Sequence, residues 1–160
     1  MPGFASAVQR LDCAPMELHL ADLAATGALA ARLAAAARPG DCILLEGPLG
    51  AGKSAFARAF LRAMAGDPAL EVPSPTFTLV QAYDMPGPMT AWHFDLYRLD
   101  GPDGLAELGW EEAREGLVLV EWPDRLGHLA PAEALRVSLE PLEDGEARRA
   151  TLAGWPRRAW

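Results

Sequence analysis

The sequence predicts a single α/β domain in which helices flank a mixed β-sheet. Two short, uninterrupted apolar runs, at residues 42–45 and 117–120, are typical of strands buried on both faces of a sheet. A glycine-rich loop follows the first run directly and leads into apolar residues at helical spacing. With 160 residues, of which 51% are hydrophobic, the chain suits one domain with its own core.

The first elements are predicted from local signals. Residues 1–16 show no periodic pattern and are predicted to form a loose N-terminal arm, and residues 17–20 suit a short strand. Asp22 is a good N-cap for a helix that extends to about residue 37, because its carboxylate can accept hydrogen bonds from the free N–H groups of the first turn. Pro39 and Gly40 then end this helix.

The centre of the chain combines a strand, a loop and a helix. The buried strand at residues 42–45 precedes the segment GPLGAGKS at residues 47–54, and the predicted helix covers residues 53–65. Gly66 stands at the usual position after a helix C-terminus. This arrangement is the context that a phosphate-binding P-loop requires, so the predicted fold is of the P-loop NTPase type.

The second half of the chain is predicted to complete the sheet. A loop bounded by prolines, residues 72–76, precedes these elements. The elements predicted after this loop are β-like segments at 77–83 and 89–95, a turn and helix at 100–114, a strand at 117–121, and hairpin strands at 135–139 and 147–152. The predicted P-loop domain therefore spans residues 17–155, and residues 156–160 form a C-terminal tail.

The charge balance argues against a protein that binds nucleic acid alone. Lysine and arginine number 14 and acidic residues 22, which gives a net charge of −8. A protein that neutralises phosphates by itself normally presents a basic face. The four arginines near the C-terminus are interpreted as solvated residues of a terminal strand and tail; they are Arg148, Arg149, Arg157 and Arg158.

Targeting and metal signals are missing from the sequence. The alanine-rich segment 18–37 is interrupted by Asp22 and Arg32, so it suits neither a signal peptide nor a membrane-spanning helix. The two cysteines form no CxxC pair, and the histidines lack zinc-ligand spacing. These observations predict a cytoplasmic protein that has no contact with a membrane.

The loop at residues 47–54 has the chemistry of a phosphate site. Its glycines let backbone N–H groups turn toward phosphate oxygens, Lys53 adds a positive charge, and the Ser54 hydroxyl can ligate Mg²⁺. The number of chance occurrences expected from this composition is on the order of 5 in 10,000. Lys53 is also the one lysine among 14 basic residues, which favours a functional role for its compact ammonium group.

The base is predicted by exclusion. Guanine-specific P-loop proteins use an Asn-Lys-x-Asp element, whereas this sequence contains no asparagine and no second lysine. ATP is therefore the expected nucleotide.

Hydrolysis requires a carboxylate near the metal and the attacking water. Asp95 and Glu121 both end predicted strands, and on the residues alone either could be the Walker B acid. Thr76, in the proline-bounded loop, is a candidate switch residue that reaches the γ-phosphate. His93 is expected to make a hydrogen bond rather than to act in catalysis.

Four segments in order carry a resemblance to a known family. They are GPLGAGKS at 47–54, SPTFTLV at 74–80, HFDLYRL at 93–99 and EWP at 121–123. With this order and spacing, the chain resembles the TsaE family, formerly YjeE, over roughly residues 18–125. The resemblance implies a bacterial ATPase that acts with TsaD and TsaB to make threonylcarbamoyladenosine beside the anticodon of tRNA. It also implies that tRNA is contacted only through these partners and that ATPase activity is weak without them.

The resemblance implies a complete site for ATP or ADP with Mg²⁺. The implied nucleotide-binding residues are Thr26, Leu49, Gly50, Ala51, Gly52, Lys53, Ser54 and Trp122, with Thr26 on the adenine side and Trp122 in a mobile segment. The implied metal ligands are Ser54 and Glu121. The implied catalytic residues are Lys53, Asp95 as the Walker B acid, and Thr76 as a switch residue. Pro48 and Ser54 depart from the Asp and Thr that are common in the family.

Two other functions remain open from the sequence. A small-molecule kinase also pairs a P-loop with a small α/β domain, but no insertion that resembles an arginine-bearing lid follows residues 100–114. A nucleotide-dependent assembly switch would need binding without hydrolysis.

Overall fold

The computed structural model describes residues 14–143, 145–155 and 160. The predictions for residues 1–13 and 156–159 lie outside these described residues. Met16 belongs to the first strand, so this strand begins at the last residue of the predicted N-terminal arm and one residue before its own predicted start.

Seven strands and three α-helices make up the described part of the chain. The strands are β1 (Met16–Leu20), β2 (Cys42–Glu46), β3 (Val80–Asp84), β4 (Thr90–Asp95), β5 (Leu117–Glu121), β6 (Leu135–Pro141) and β7 (Arg148–Ala153). The helices are α1 (Leu23–Ala36), α2 (Lys53–Ala65) and α3 (Trp110–Ala113). Short 3₁₀ segments lie at Pro102–Gly104, Ala106–Leu108 and Pro123–Leu129.

The strands form a mixed sheet in the order β1-β7-β6-β2-β5-β4-β3. The four central strands β6, β2, β5 and β4 are parallel to one another, while β1 with β7, β7 with β6, and β3 with β4 pair antiparallel. This topology confirms the predicted single α/β domain with a mixed sheet. Because parallel strands end at one edge, Leu45, Asp95 and Glu121 lie side by side there.

The two central apolar runs are buried on both faces, as predicted. Alternate side chains of β2 point to opposite sides: Ile43 packs with the core under α1 and α2, whereas Leu44 packs with the core near Trp110. Cys42 is buried and free. Burying each large side chain of this kind contributes about 1.5–3 kcal/mol, so the two central strands are anchored in both cores.

The N-cap of α1 agrees with the sequence prediction, but two later elements differ from it. The carboxylate of Asp22 accepts a hydrogen bond from the N–H of Ala25 at 2.8 Å. The strand predicted at 77–83 begins only at Val80, because Leu79 adopts a positive φ of 70° in a turn closed by its N–H on the carbonyl of Pro75. The turn and helix predicted at 100–114 are present as two 3₁₀ turns followed by α3, but the α-helix is short because Gly109, with φ of 81°, directly precedes it.

Within the described residues, no helix is both long and apolar enough to cross a membrane.

Candidate functional site

The loop between β2 and α2 requires glycine at both of its ends. Gly47 has a φ of 145°, and a Cβ there would lie 2.4 Å from the main-chain oxygen of Leu139. Gly52 adopts φ 103° immediately before the first residue of α2. Between these glycines, Ala51 is buried while Leu49 is exposed at the tip. The loop therefore curves tightly around the start of α2, as the sequence motif predicts.

Lys53 lies inside this curve. Its Nζ donates to the carbonyl oxygen of Gly47 and, at 3.1 Å, to that of Pro48. The residue is only 5% exposed, and burial lowers the pKa of its amine below the ordinary value of 10.5, an effect that the carboxylates of Glu121 and Asp95 partly oppose. A compact cation is thus held where phosphate oxygens would enter the loop.

The Nζ of Lys53, which donates to the loop carbonyls, also contacts the ring of Trp122. The centroid of its ring is 3.8 Å from Nζ of Lys53, which is a close cation–π contact. Trp122 itself has a left-handed backbone, with φ 59° and ψ 54°, and its ring packs on Tyr97 at 5.0 Å. Trp122, which the family resemblance assigns to the nucleotide site, therefore contacts Lys53 at the end of the loop directly.

Ser54 and Glu121 meet beside the loop. Oγ of Ser54 donates to Oε1 of Glu121 at 3.0 Å, and Oε2 of the same carboxylate lies 2.7 Å from Nε2 of His93. Both Glu121 and His93 are buried. His93 thus makes the hydrogen bond expected of it and fixes the orientation of the carboxylate.

Asp95 forms a second group with Thr76. The Thr76 hydroxyl donates to Oδ2 of Asp95 at 3.0 Å and also lies 2.9 Å from the hydroxyl of Ser74. Oδ1 of Asp95 accepts from the main-chain N–H of Tyr97 at 3.1 Å. Asp95 is only 4% exposed and stands opposite Glu121 in the register of β4 and β5.

The two strand-end acids therefore have different partners. Glu121 is bonded to the hydroxyl that follows the loop lysine, whereas Asp95 is bonded to the candidate switch threonine. The residues alone left these two acids interchangeable, and the geometry separates them into one group with Ser54 and His93 and another with Thr76.

Thr26 lies on the far side of the loop in a groove of about 360 Å³. The groove is formed by the start of α1, the end of the loop and the β6–β7 turn; its lining includes Asp22, Thr26, Gly52, Gly145, Glu146 and Arg148. Thr26 is buried, and its hydroxyl lies 3.5 Å from the carbonyl of Asp22. The groove opens beside the phosphate loop, so it can accept the nucleoside part of a nucleotide.

A separate cavity of about 490 Å³ lies at the opposite edge of the sheet. It is lined by Thr90 and Gly116, at the beginnings of β4 and β5, and by Trp92. None of the predicted site residues lines it, and the strand ends that carry the acids face away from it.

Arg148 was missed by the sequence interpretation, which assigned it to a solvated strand. Its guanidinium instead donates to the carbonyl oxygens of Ala51 at 2.9 Å and Gly50 at 3.2 Å. The alternation of apolar and polar residues at 135–139 and 147–152 predicted the hairpin, but it could not show that β6 pairs parallel to β2. This pairing brings the hairpin beside the loop.

The donor set suits Mg²⁺ better than a tightly held transition metal. Among the described residues, no group of three or more His, Cys, Asp or Glu side chains could hold an ion. One hydroxyl and one buried carboxylate beside a phosphate loop match the way Mg²⁺ is usually bound, through few protein oxygens, water and substrate phosphates.

Comparison with known proteins gives concordant results. The model of the family described as "Threonylcarbamoyl adenosine biosynthesis protein TsaE" matches residues 20–150. A protein of Rickettsia felis named tRNA threonylcarbamoyladenosine biosynthesis protein TsaE is 41% identical over 122 residues, which cover 76% of this chain and 70% of the relative. The Bacillus subtilis protein of the same name is 37% identical over 123 residues, covering 76% of this chain and 75% of the relative.

A solved structure has the same fold. The crystal structure of Bacillus subtilis YdiB superposes with a TM-score of 0.72 at 29% sequence identity, over 89% of this chain and 86% of that chain.

Proposed function

This chain belongs to the TsaE family, and from that premise we propose that it binds Mg²⁺–ATP and hydrolyses it in support of threonylcarbamoyladenosine formation on tRNA. Its relatives are named for the biosynthesis of this modified nucleoside. The proposal assigns to this chain the energy-supplying step rather than the transfer of the threonylcarbamoyl group.

The observation that carries the proposal is the contact between Ser54 and Glu121 beside Lys53. Hydroxyl and carboxylate lie 3.0 Å apart, at the first turn of the helix that follows the phosphate loop. Ser54 and Glu121 would hold Mg²⁺, which would neutralise charge on the phosphate oxygens. Lys53 would donate to the β- and γ-phosphate oxygens in place of its present carbonyl partners.

Asp95 and Thr76 have the geometry for the water-activating side. Asp95 is buried and fixed by Thr76 and by the N–H of Tyr97, so its carboxylate is well placed to orient a water. In hydrolysis the water oxygen bonds to the γ-phosphorus as the bond to the β–γ bridging oxygen breaks. The water proton passes to Asp95, and ADP and phosphate leave.

The groove beside Thr26 would take adenosine. It begins at Gly52, the last residue of the phosphate loop, and is about 360 Å³ in volume. Adenine rather than guanine is proposed because the chain contains no asparagine for an Asn-Lys-x-Asp element.

The partners proposed are TsaD and TsaB, which would hold the tRNA. A net charge of −8 opposes direct approach to a polyanion. The proposed docking face comprises residues 74–78 and 121–124, because these segments contain the groups that would respond to the nucleotide. Phe77 within it is 80% exposed and carries the guanidinium of Arg98 over its ring at 4.4 Å. Exposed aromatic groups of this kind are common at interaction sites.

Two alternative functions make different predictions in one assay. A small-molecule kinase would need an acceptor to turn over ATP, and an assembly switch would bind ATP without turnover. The test is steady-state phosphate release from Mg²⁺–ATP, measured with and without cognate TsaB and TsaD and with no other acceptor. We expect turnover that the partners stimulate and that Lys53→Ala abolishes. Turnover that appears only with an added acceptor would favour the kinase, and binding without turnover would favour the switch.

A further inference from the structure

Arg148 begins β7 and reaches the outer side of the phosphate loop. Its Nε donates to the carbonyl of Ala51 at 2.9 Å and its Nη2 to that of Gly50 at 3.2 Å. Its Nη1 donates to the carbonyls of Gly145 at 2.9 Å and Ala147 at 3.0 Å. A single guanidinium therefore connects two successive peptide units of the loop to the β6–β7 turn.

This connection has a consequence for the amide groups of the loop. A planar trans peptide unit carries its C=O and its N–H on opposite edges. Because Arg148 holds the carbonyl of Ala51, the N–H of Gly52 in the same unit points away from the guanidinium. Gly52 precedes α2, where the first N–H groups have no partner within the helix and are available to an anion.

The side-chain chemistry suits this task. The guanidinium is planar and presents its donors in a fixed fork, so one Arg can hold neighbouring carbonyls at once. The ammonium of a lysine is a point donor and could hold only some of the four carbonyl oxygens that accept from Arg148. Gly50 and Gly52 adopt φ values of 79° and 103°, and a backbone this free of side chains gains most from an external restraint.

We propose that Arg148 is a positioning residue for nucleotide binding, which fixes the peptide unit between Ala51 and Gly52 so that the N–H of Gly52 faces the polyphosphate, whereas the N–H of Ala51 is held within the loop by the carbonyl of Pro48 at 3.1 Å. It would act through the loop and would not touch the phosphates. This inference rests on the proposed function, since it presupposes that the loop binds a nucleoside diphosphate or triphosphate. It also gives the β6–β7 hairpin a role, because the turn that lines the Thr26 groove is then connected to the phosphate loop.

The test compares Arg148 with its neighbour. Arg149 points to the other face of β7 and pairs with Glu140 at 3.2 Å on the surface, so Arg149→Met removes the same kind of side chain without touching the loop. Calorimetry gives the Kd of Mg²⁺–ADP for wild type, Arg148→Met, Arg148→Lys and Arg149→Met. Amide hydrogen exchange at residues 50–53 without nucleotide reports the order of the loop itself.

We expect Arg148→Met to weaken ADP binding about tenfold, which corresponds to about 1.4 kcal/mol. Arg148→Lys should lie between Arg148→Met and wild type, and Arg149→Met should stay within about twofold of wild type. The amide of Ala51, which donates to the carbonyl of Pro48 at 3.1 Å inside the loop, should exchange faster in Arg148→Met than in Arg149→Met. A merely structural tie between hairpin and loop would lower the melting temperature without this graded change in Kd.

Unchanged ADP affinity and unchanged exchange in folded Arg148→Met would overturn the inference. If Arg148→Met does not fold, Arg148→Lys decides the question, and wild-type affinity in that variant overturns the inference equally. A wild-type protein that binds no ADP would instead refute the proposed function, and the exchange comparison would still test whether Arg148 orders the loop.

Discussion

Ser54 Oγ donates to Glu121 Oε1 at 3.0 Å across 67 positions of sequence. Each residue occupies a defined place in the fold: Ser54 is in the first turn of α2, and Glu121 is the last residue of β5. Neighbouring parallel strands β2 and β5 bring the two together. The separate roles proposed for the two strand-end acids are based on this contact.

The first prediction separates those acids. Glu121→Gln should weaken the Mg²⁺ dependence of ADP binding, because it removes a charge beside Ser54. Asp95→Asn should leave ADP binding nearly intact but lower hydrolysis by about 10²–10⁴-fold, since it removes the group proposed to accept the proton. Calorimetry with and without Mg²⁺, together with phosphate release, measures both effects.

The matched control for these variants is Asp84→Asn. Asp84 ends β3, which pairs antiparallel with β4 and therefore ends at the other edge of the sheet. It should leave binding and hydrolysis unchanged. Exchanged phenotypes for Glu121→Gln and Asp95→Asn would mean that the two acids are assigned the wrong way round.

The second prediction concerns Trp122. Its ring lies 3.8 Å from Nζ of Lys53, so phosphate that engages Lys53 must change the surroundings of the indole. Adding Mg²⁺–ADP should therefore alter tryptophan emission in wild type. The control is Trp92→Phe, which should show the same change, because Trp92 lines the cavity at the opposite edge of the sheet. The change should be lost in Trp122→Phe. An equal emission change in Trp122→Phe would argue against contact between this ring and the nucleotide site.

The third prediction concerns the base. A ligand that binds only the native state adds stability, about 2.7 kcal/mol at a hundredfold excess over Kd. Mg²⁺–ADP should therefore raise the melting temperature, and GDP at the same concentration should raise it much less. A shift with GDP as large as that with ADP would remove the argument drawn from the missing asparagine.

The fourth prediction follows from the lowered pKa of Lys53. Burial lowers this pKa below 10.5, so the amine becomes neutral at a lower pH than an exposed lysine would. Affinity for ADP should fall as the pH rises through that lowered pKa. In the interval up to 10.5 the unfolded chain binds the proton more readily than the native protein, so the contribution of Lys53 to stability rises with pH.

Calorimetry from neutral to alkaline pH measures the affinity profile. The control is Lys53→Arg, which should bind ADP more weakly but without this loss of affinity, because the guanidinium stays charged. A wild-type affinity that is constant up to pH 10.5 would contradict the prediction.

Local signals in the sequence were sufficient for much of the fold and part of the site. Asp22 as an N-cap and the range of α2 depend on residues close in sequence, and so do the glycines of the loop. The strand predicted at 77–83 is present, but its predicted start was wrong, because Leu79 adopts a left-handed conformation that its residue type disfavours and the strand begins only at Val80. The turn and helix predicted at 100–114 are both present, but the helix covers only Trp110–Ala113 because several glycines favour turns over a longer helix.

Relationships across the sheet could not be predicted from local patterns. The distinction between Asp95 and Glu121 depends on which hydroxyl each acid meets, and that depends on strand order and register. Arg148 was misassigned for the same reason. The alternation along β7 places Arg148 on the same face as the buried residues Ala150 and Leu152, but only the pairing of β6 with β2 places it beside the phosphate loop.

The central claim is that ATP turnover at Lys53 supports tRNA modification, and repeated modification measures it most directly. Wild type or Lys53→Ala would be mixed with TsaB, TsaD, tRNA, ATP and the threonylcarbamoyl donor, with modified tRNA counted per complex over time. We expect wild type to support many rounds and Lys53→Ala to support about one round or none. If Lys53→Ala supports repeated rounds as well as wild type does, hydrolysis at this site is dispensable and the proposed function is wrong.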